Sequence, residues 1–260
     1  MPADAARFIQ PDWPAPPGVT ALMSTRQGGA GVAPFDTFSL KLDPRDPAAP
    51  ANRARWADAL GAPPVWLRQV HGAEVAVLVA GDLGAQPTAD ASVTCEPGLA
   101  CTVMVADCLP VLFCTADGRA VGAAHAGWRG LAAGVLENTV EALCRLNSAR
   151  PTDVLAWLGP CIGPRQFEVG VDVLQAFGEA ADAPSSRFVR RDRPDGQARW
   201  LADLPGLARD RLQRAGVTRV SGGAWCTVED ASRFFSFRRD RAGGAYGSLA
   251  AGITVGRVVR

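Results

Sequence analysis

Ten short β-like runs recur along the chain at irregular intervals, and only three stretches between them carry helical periodicity. The runs are Val19–Thr25, Pro64–Val70, Glu74–Val79, Cys101–Ala106, Val111–Thr115 and Ala120–His125, then Val154–Leu158, Trp200–Ala202, Val217–Trp225 and Arg233–Phe237. They are rich in Val, Phe, Trp and Thr and are bounded by Gly, Pro or Asp, which predicts strands. The helical patterns are Ala51–Leu60, stopped by Gly61, then Leu131–Leu146, and Leu204–Ala215, stopped by Gly216. In the second, Leu131, Val135, Leu136, Val140 and Leu143 share one face at steps of three and four. Strands that outnumber helices and alternate with them irregularly predict an α+β fold, a single domain with a mixed β-sheet and helices packed in layers, rather than a regular βαβ array. Residues 1–18 read as an extended, Pro-rich lead-in to one domain over 19–260. No later stretch has linker composition, and no repeat of fixed period is found.

Composition narrows the function. Of the 260 residues, 48% are hydrophobic and 20% charged, ample for a packed core and unlike a disordered chain. Lys+Arg is 27 and Asp+Glu is 26, a net charge of +1 that provides no general field for a nucleic-acid backbone or an anionic membrane. A small ligand of mixed polarity suits this surface better. The most apolar stretch, Leu99 to Cys114, is interrupted by Asp107 and Pro110, too short for a membrane helix of about 18 apolar residues. The N-terminal stretch has no apolar h-region, so a signal peptide is not expected and the cytoplasm is the expected location. The seven cysteines (95, 101, 108, 114, 144, 161, 226) form no CxxC pair, so reduced, buried thiols are expected.

Chemistry concentrates at three residues. The only two histidines, His71 and His125, both end β-like runs beside glycine, where open sheets expose functional side chains. Cys108 lies in VMVADCLPVLF, where Asp107 and Pro110 break an otherwise apolar run; a carboxylate there is costly unless something binds it. The intervals from His71 to Cys108 to His125 are too long for a zinc finger and fit a site built from separate strand ends. One Cys and two His would leave a fourth tetrahedral position open, as in catalytic zinc sites. The sequence permits that reading without forcing it. Cys108 with His125 could equally be a thiol nucleophile and its base. A binding module merely stabilised by zinc is a third reading.

The stretches STRQGG (24–29), NR (52–53), LRQVHG (67–72), ADCLPVLF (106–113), AHAGWRG (124–130), LGPCIG (158–163), FEVG (167–170), CT (226–227) and FFSFRR (234–239) occur in the order of one family. With ADCLPV and HAGWRG the most specific, the chain resembles the bacterial laccase-domain family, also called polyphenol oxidase or peptidoglycan editing factor, whose members act as purine nucleoside phosphorylases. The resemblance runs from about residue 20 to 240. It departs where SLNL becomes SLKL, with Lys41 in the Asn position, where GDDP becomes DPRDP, and where a TGR element is replaced by AGGAYGS (242–248).

The resemblance implies a catalytic laccase-type domain over 19–260. It implies a zinc ion held by His71, Cys108 and His125, with copper able to compete for the same ligands. It implies phosphorolysis of adenosine and inosine and extends to methylthioadenosine, and such a metal also suits attack on an aromatic C–N centre, as deamination of adenosine requires. Phosphate would need a cation, and Arg26, Arg53 and Arg129 are the candidates for it. Asp107 is positioned in sequence to orient a metal ligand or the substrate. The alternatives are a Cys–His thiol hydrolase editing peptidoglycan precursors and a copper-dependent phenol oxidase. Expected partners are a purine nucleoside and phosphate, with no nucleic acid and no membrane, in a monomer or homodimer. The run Arg233, Arg238, Arg239 and Arg241 is expected to be a salt-bridged strand and loop rather than an RNA surface.

Overall fold

Residues 8–256 are described by a computed structural model, and its two seven-residue strands are buried along their whole length. Chain order begins with β1 (Phe8–Ile9), β2 (Val19–Ser24), α1 (Ala49–Leu60), β3 (Pro64–Trp66), β4 (Val75–Val77) and β5 (Ala91–Thr94). It continues through β6 (Ala100–Val105), β7 (Leu109–Thr115), β8 (Val121–Ala126), α2 (Trp128–Ala133), α3 (Val135–Asn147) and β9 (Val154–Leu158). The remainder is β10 (Glu168–Val169), α4 (Val171–Ala176), β11 (Phe188–Arg190), β12 (Trp200–Ala202), α5 (Leu204–Arg214), β13 (Arg219–Gly222), α6 (Phe237–Asp240) and β14 (Leu249–Val255).

Two mixed sheets form the body. One has the order β1-β2-β14-β6-β3, the other β13-β9-β7-β8-β5-β4, and β10-β12-β11 form a small third sheet. Along β7, Val111 and Phe113 enter one core while Leu112 and Cys114 enter another. That is the period-two alternation of a strand covered on both faces. The first core is closed by Leu136, Val140 and Leu143 of α3 and by Leu212 of α5. The second lies between the sheets, where Met23, Val103 and Ile253 meet Leu112, Val121 and Trp157. On the far side, Trp56 and Leu60 of α1 cover Leu22, Ala100 and Ala250. The result is a single α+β domain with mixed sheets and helices in outer layers, as the sequence predicts.

The differences have local causes. Strand β14 is buried on both faces and so lacks polar alternation, and the small residues of LAAGITV dilute the apolar run that marks other buried strands such as β9. The helix expected over Leu131–Leu146 is two helices, because Gly134 turns left-handed (φ 96°) between α2 and α3. The strand expected at Arg233–Phe237 is a loop with buried Phe234 and Phe235, after which Ser236 caps α6 by accepting the N–H of Arg239. Its arginines are engaged: Arg233 pairs with Asp230, Arg239 with Asp240, and Arg238 donates to the carbonyls of Gln166 and Glu168. Of the lead-in expected over 1–18, residues 1–7 lie outside the described residues, and Phe8 pairs with Ser24 of β2. Among the described residues no helix is long and apolar enough to cross a membrane.

Candidate metal centre

The chain crosses from one large sheet to the other between β6 and β7, through Ala106, Asp107 and Cys108. That crossing places Cys108 at one end of the sheet stack. His125 sits in β8, in register with Pro110 of the neighbouring β7. His71 follows β3 on a loop and has a left-handed backbone (φ 61°), as does Asp107 (φ 85°). Such conformations are costly for residues with a Cβ and persist where surrounding bonds enforce them.

At His71 the enforcing group is Asp90, which immediately precedes β5 and is fully buried. Its carboxylate accepts the N–H groups of Val70 (3.0 Å), His71 (2.9 Å) and Gly72 (2.7 Å), and faces Nδ1 of His125 at 2.8 Å. Burial pushes the Asp90 carboxyl up, but His125 and the backbone donors outweigh it and hold the group below the usual aspartate range. An ionised Asp90 requires the proton on Nδ1 of His125. Burial pushes the His125 ring down, but the Cys108 thiolate and Asp90 outweigh it and raise the ring to about 9, so it is charged beside the sulfur. A metal at Nε2 would take the place of the proton there.

The donor atoms of His71, Cys108 and His125 all lie within 4.8 Å of one another, and the two imidazoles meet edge to face at 4.8 Å. Burial pushes the Cys108 thiol up, yet the charge of His125 and hydrogen bonds from both imidazoles bring it down to about 6. Sulfur is therefore a thiolate near neutral pH, as a metal ligand or a nucleophile must be. Space is reserved beside it. A Cβ built on Gly127 would fall 3.0 Å from Cys108 Sγ and 3.0 Å from His71 Cδ2. A thiolate and two imidazoles around such a gap fit a metal of the zinc or copper class.

The trio opens into a cleft of about 350 Å³, within the range of small-molecule sites. Met104, Phe237 and Tyr246 supply much of its apolar wall, and Lys41 and Gln69 are polar members. Gln69 is locked by two hydrogen bonds of 2.8 Å to the backbone of Met104.

None of the other residues expected at the site lines this cleft. Both carboxylate oxygens of Asp107 are taken, by the hydroxyl of Thr227 (2.5 Å), the hydroxyl of Ser236 (3.0 Å) and the N–H of Arg238 (2.6 Å), so it ties the α6 loop to Cys108. Arg26 pairs with Asp36, donates to the carbonyl of Ala231 and lies over Phe235. Arg129 is exposed and lies over Trp128, 4.1 Å from the ring centroid. Arg53 is anchored behind the wall, donating to the carbonyl of Leu40 (2.8 Å) and covering Trp66, and burial lowers it to about 10. Asp90 escaped the sequence reading because nothing in ADASVT marks it. Lys41 and Tyr246 carried a signal: each is the single residue of its type in the chain.

The chain is similar to known proteins over most of its length. Residues 20–256 match the family described as multi-copper polyphenol oxidoreductase laccase. The chain is 48% identical to a purine nucleoside phosphorylase of Pseudomonas aeruginosa over 246 residues, covering 93% of this chain and 97% of that protein. It is 45% identical over 248 residues to purine nucleoside phosphorylase YfiH of Escherichia coli, covering 94% of this chain and 98% of the relative. The crystal structure of a Neisseria meningitidis protein superposes with a TM-score of 0.85 at 44% identity, covering 96% of this chain and 99% of that one. YlmD from Geobacillus stearothermophilus superposes with a TM-score of 0.86 at 29% identity, covering 99% of each chain.

Proposed function

The chain belongs to the multi-copper polyphenol oxidoreductase laccase family, and from that premise we propose that it is a zinc-dependent purine nucleoside phosphorylase acting on adenosine and inosine. The observation that carries the proposal is the cleft itself: a Cys–His–His donor set opening onto an aromatic wall of nucleoside size. Relatives named as purine nucleoside phosphorylases support it. His71, Cys108 and His125 would hold the zinc, and Asp90 would orient His125 and the His71 loop. A metal bound there would supply Lewis acidity. Phe237 and Tyr246 offer ring faces and edges against which a purine packs, which keeps water from the glycosidic bond. An oxygen of phosphate bonds to C1′ of the ribose as the bond from C1′ to the purine breaks, and the purine leaves with the electron pair and takes up a proton.

Phosphorolysis of methylthioadenosine and deamination of adenosine belong to the same reading, since both present the same base and ribose to the wall. We place the protein in the cytoplasm, as a monomer or homodimer. A second reading is favoured by one feature, the lowered Cys108 thiol between two imidazoles. It would make Cys108 a nucleophile on peptidoglycan precursors. A multicopper oxidase centre does not fit the donor set, because such clusters need about ten histidines and this chain has two.

Elemental analysis of the purified protein, run beside phosphate-dependent release of hypoxanthine from inosine, tests the proposal. It expects roughly one zinc per chain by ligand count, and loss of both metal and base release in Cys108→Ala. Metal-free protein with full phosphate-dependent base release would refute the zinc dependence, and base release without phosphate would make the enzyme a hydrolase.

A further inference from the structure

Phosphate carries charge that an apolar wall cannot receive, and the arginines expected to meet it do not line the cleft. One fixed cation does. Lys41 lines the cleft together with His71, Cys108 and His125, and it is the only lysine in the chain. Its Nζ stands 4.1 Å from the ring centroid of Tyr246, itself the only tyrosine, whose ring meets Phe237 edge to face at 5.0 Å. Two of the three departures from the family pattern, Lys41 and the 242–248 segment, therefore meet in one contact on the cleft wall.

Among the described residues Lys41 makes no salt bridge, and Asp43, two positions on, is gripped by Arg45 through two hydrogen bonds of 2.9 and 2.8 Å. An ammonium has three donors and no acceptor. Resting on a ring face satisfies part of its charge and fixes its position, but leaves donors for an anion. The backbone beneath it is firm, since Arg53 holds the carbonyl of Leu40 and Ser39 Oγ accepts the N–H of Lys41 at 3.4 Å.

We infer that Lys41, seated on Tyr246, is the residue through which this cleft binds inorganic phosphate. The inference rests on the phosphorolysis reading and adds to it the group that holds the second substrate. Lysine acts as a point charge rather than a bidentate fork, so the anion is drawn to the wall without a fixed rotation about the Lys–phosphate axis. Tyr246 sets where the charge sits and is a positioning residue.

The single lysine allows a direct test on the unmodified protein. Reductive methylation followed by peptide mass spectrometry reads the reactivity of Lys41, with the N-terminal amine as internal reference. Phosphate is expected to slow methylation of Lys41 and not of the N-terminus. Calorimetry with inorganic phosphate is then compared in wild type, Lys41→Met and Lys41→Arg. The Met variant keeps a stem of similar length, and metal content and melting temperature verify that the fold and centre survive. About tenfold weaker phosphate binding is expected in Lys41→Met, as for loss of one charge-assisted contact, with inosine binding retained and phosphate binding regained in Lys41→Arg. Equal phosphate affinity in wild type and Lys41→Met, or shielding of Lys41 by inosine but not by phosphate, overturns the inference. The two claims fail separately. Phosphate held at Lys41 without base release would refute phosphorolysis alone, whereas phosphate-dependent base release with an unaltered phosphate KM in Lys41→Met would refute Lys41 alone.

Discussion

The Nδ1 atom of His125 lies 2.8 Å from Oδ1 of Asp90, and that same oxygen accepts the backbone N–H of His71. One buried carboxylate thus orients one imidazole by its ring and the other by its backbone. Asp90→Asn preserves volume but turns one acceptor into a donor facing donors. Metal affinity is expected to fall about 10- to 100-fold, the usual cost of losing the partner of a ligating histidine. Stability should drop by about 1–3 kcal/mol for the N–H groups left unpaired. Chelator competition and a melting curve measure the two effects, and an unchanged chelator resistance would show that Asp90 has no part in orienting the ligands.

Gly127 has ordinary dihedrals (φ −62°, ψ 156°), so alanine fits its backbone without strain. The added methyl would nevertheless fall 3.0 Å from Cys108 Sγ and from His71 Cδ2. Gly127→Ala is therefore expected to lose metal and base release while its melting temperature moves by only a few degrees, about 1 kcal/mol for a domain of this size. Full metal content in this variant would mean that the gap between the ligands can relax.

Cys144 faces the helix-side core from α3 and is only partly buried. Burial raises its thiol, the opposite of Cys108. Cys144→Ala should cost roughly 1 kcal/mol for lost packing and leave turnover unchanged. Abolished activity in a folded Cys144→Ala protein would show that Cys108 is not the only functional thiol.

Arg187 bridges two carboxylates, Asp203 at 3.0 Å and Asp210 at 2.7 Å. Its hydrogen bonds hold the Asp210 carboxyl below the ordinary range. A carboxyl whose folded value lies below its unfolded value, about 3.9, adds stability above that pH and loses it as pH falls further. Thermal melts from pH 7 to pH 3 should show Arg187→Met converging with wild type at the acid end. A stability gap that stays constant over that range would assign the role of Arg187 to packing alone.

Much of the fold was legible where burial imposes a local period. Val154–Leu158 and Trp200–Ala202 are strands at their expected bounds, and α5 ends one residue before the expected Ala215. Strands β5 and β14 were not legible, because they are buried on both faces like β9 but their sequences, ASVT and LAAGITV, are diluted by Ala, Ser and Gly and lack the bulky apolar run of VLAWL. At the site, His71 and His125 stood out by scarcity and glycine neighbours, and Cys108 by the acidic break beside it. The arginines did not sort themselves. Whether Arg26, Arg53 or Arg129 faces a cleft depends on which carboxylate, carbonyl or ring lies within its reach, and those partners come from elsewhere in the chain.

The sequence by itself determined the α+β class, the family and the residues able to ligate a metal, since each depends on residue type or on spacing within a single element. Tertiary structure alone decided that Asp90 binds both histidine segments and that Lys41 meets Tyr246 across 246 − 41 = 205 positions. It also decided that Asp107 faces the α6 loop rather than the cleft. The physical reason is range: hydrophobic period acts over a few residues, whereas a buried carboxylate or an ammonium on a ring is positioned by sheet pairing between distant segments.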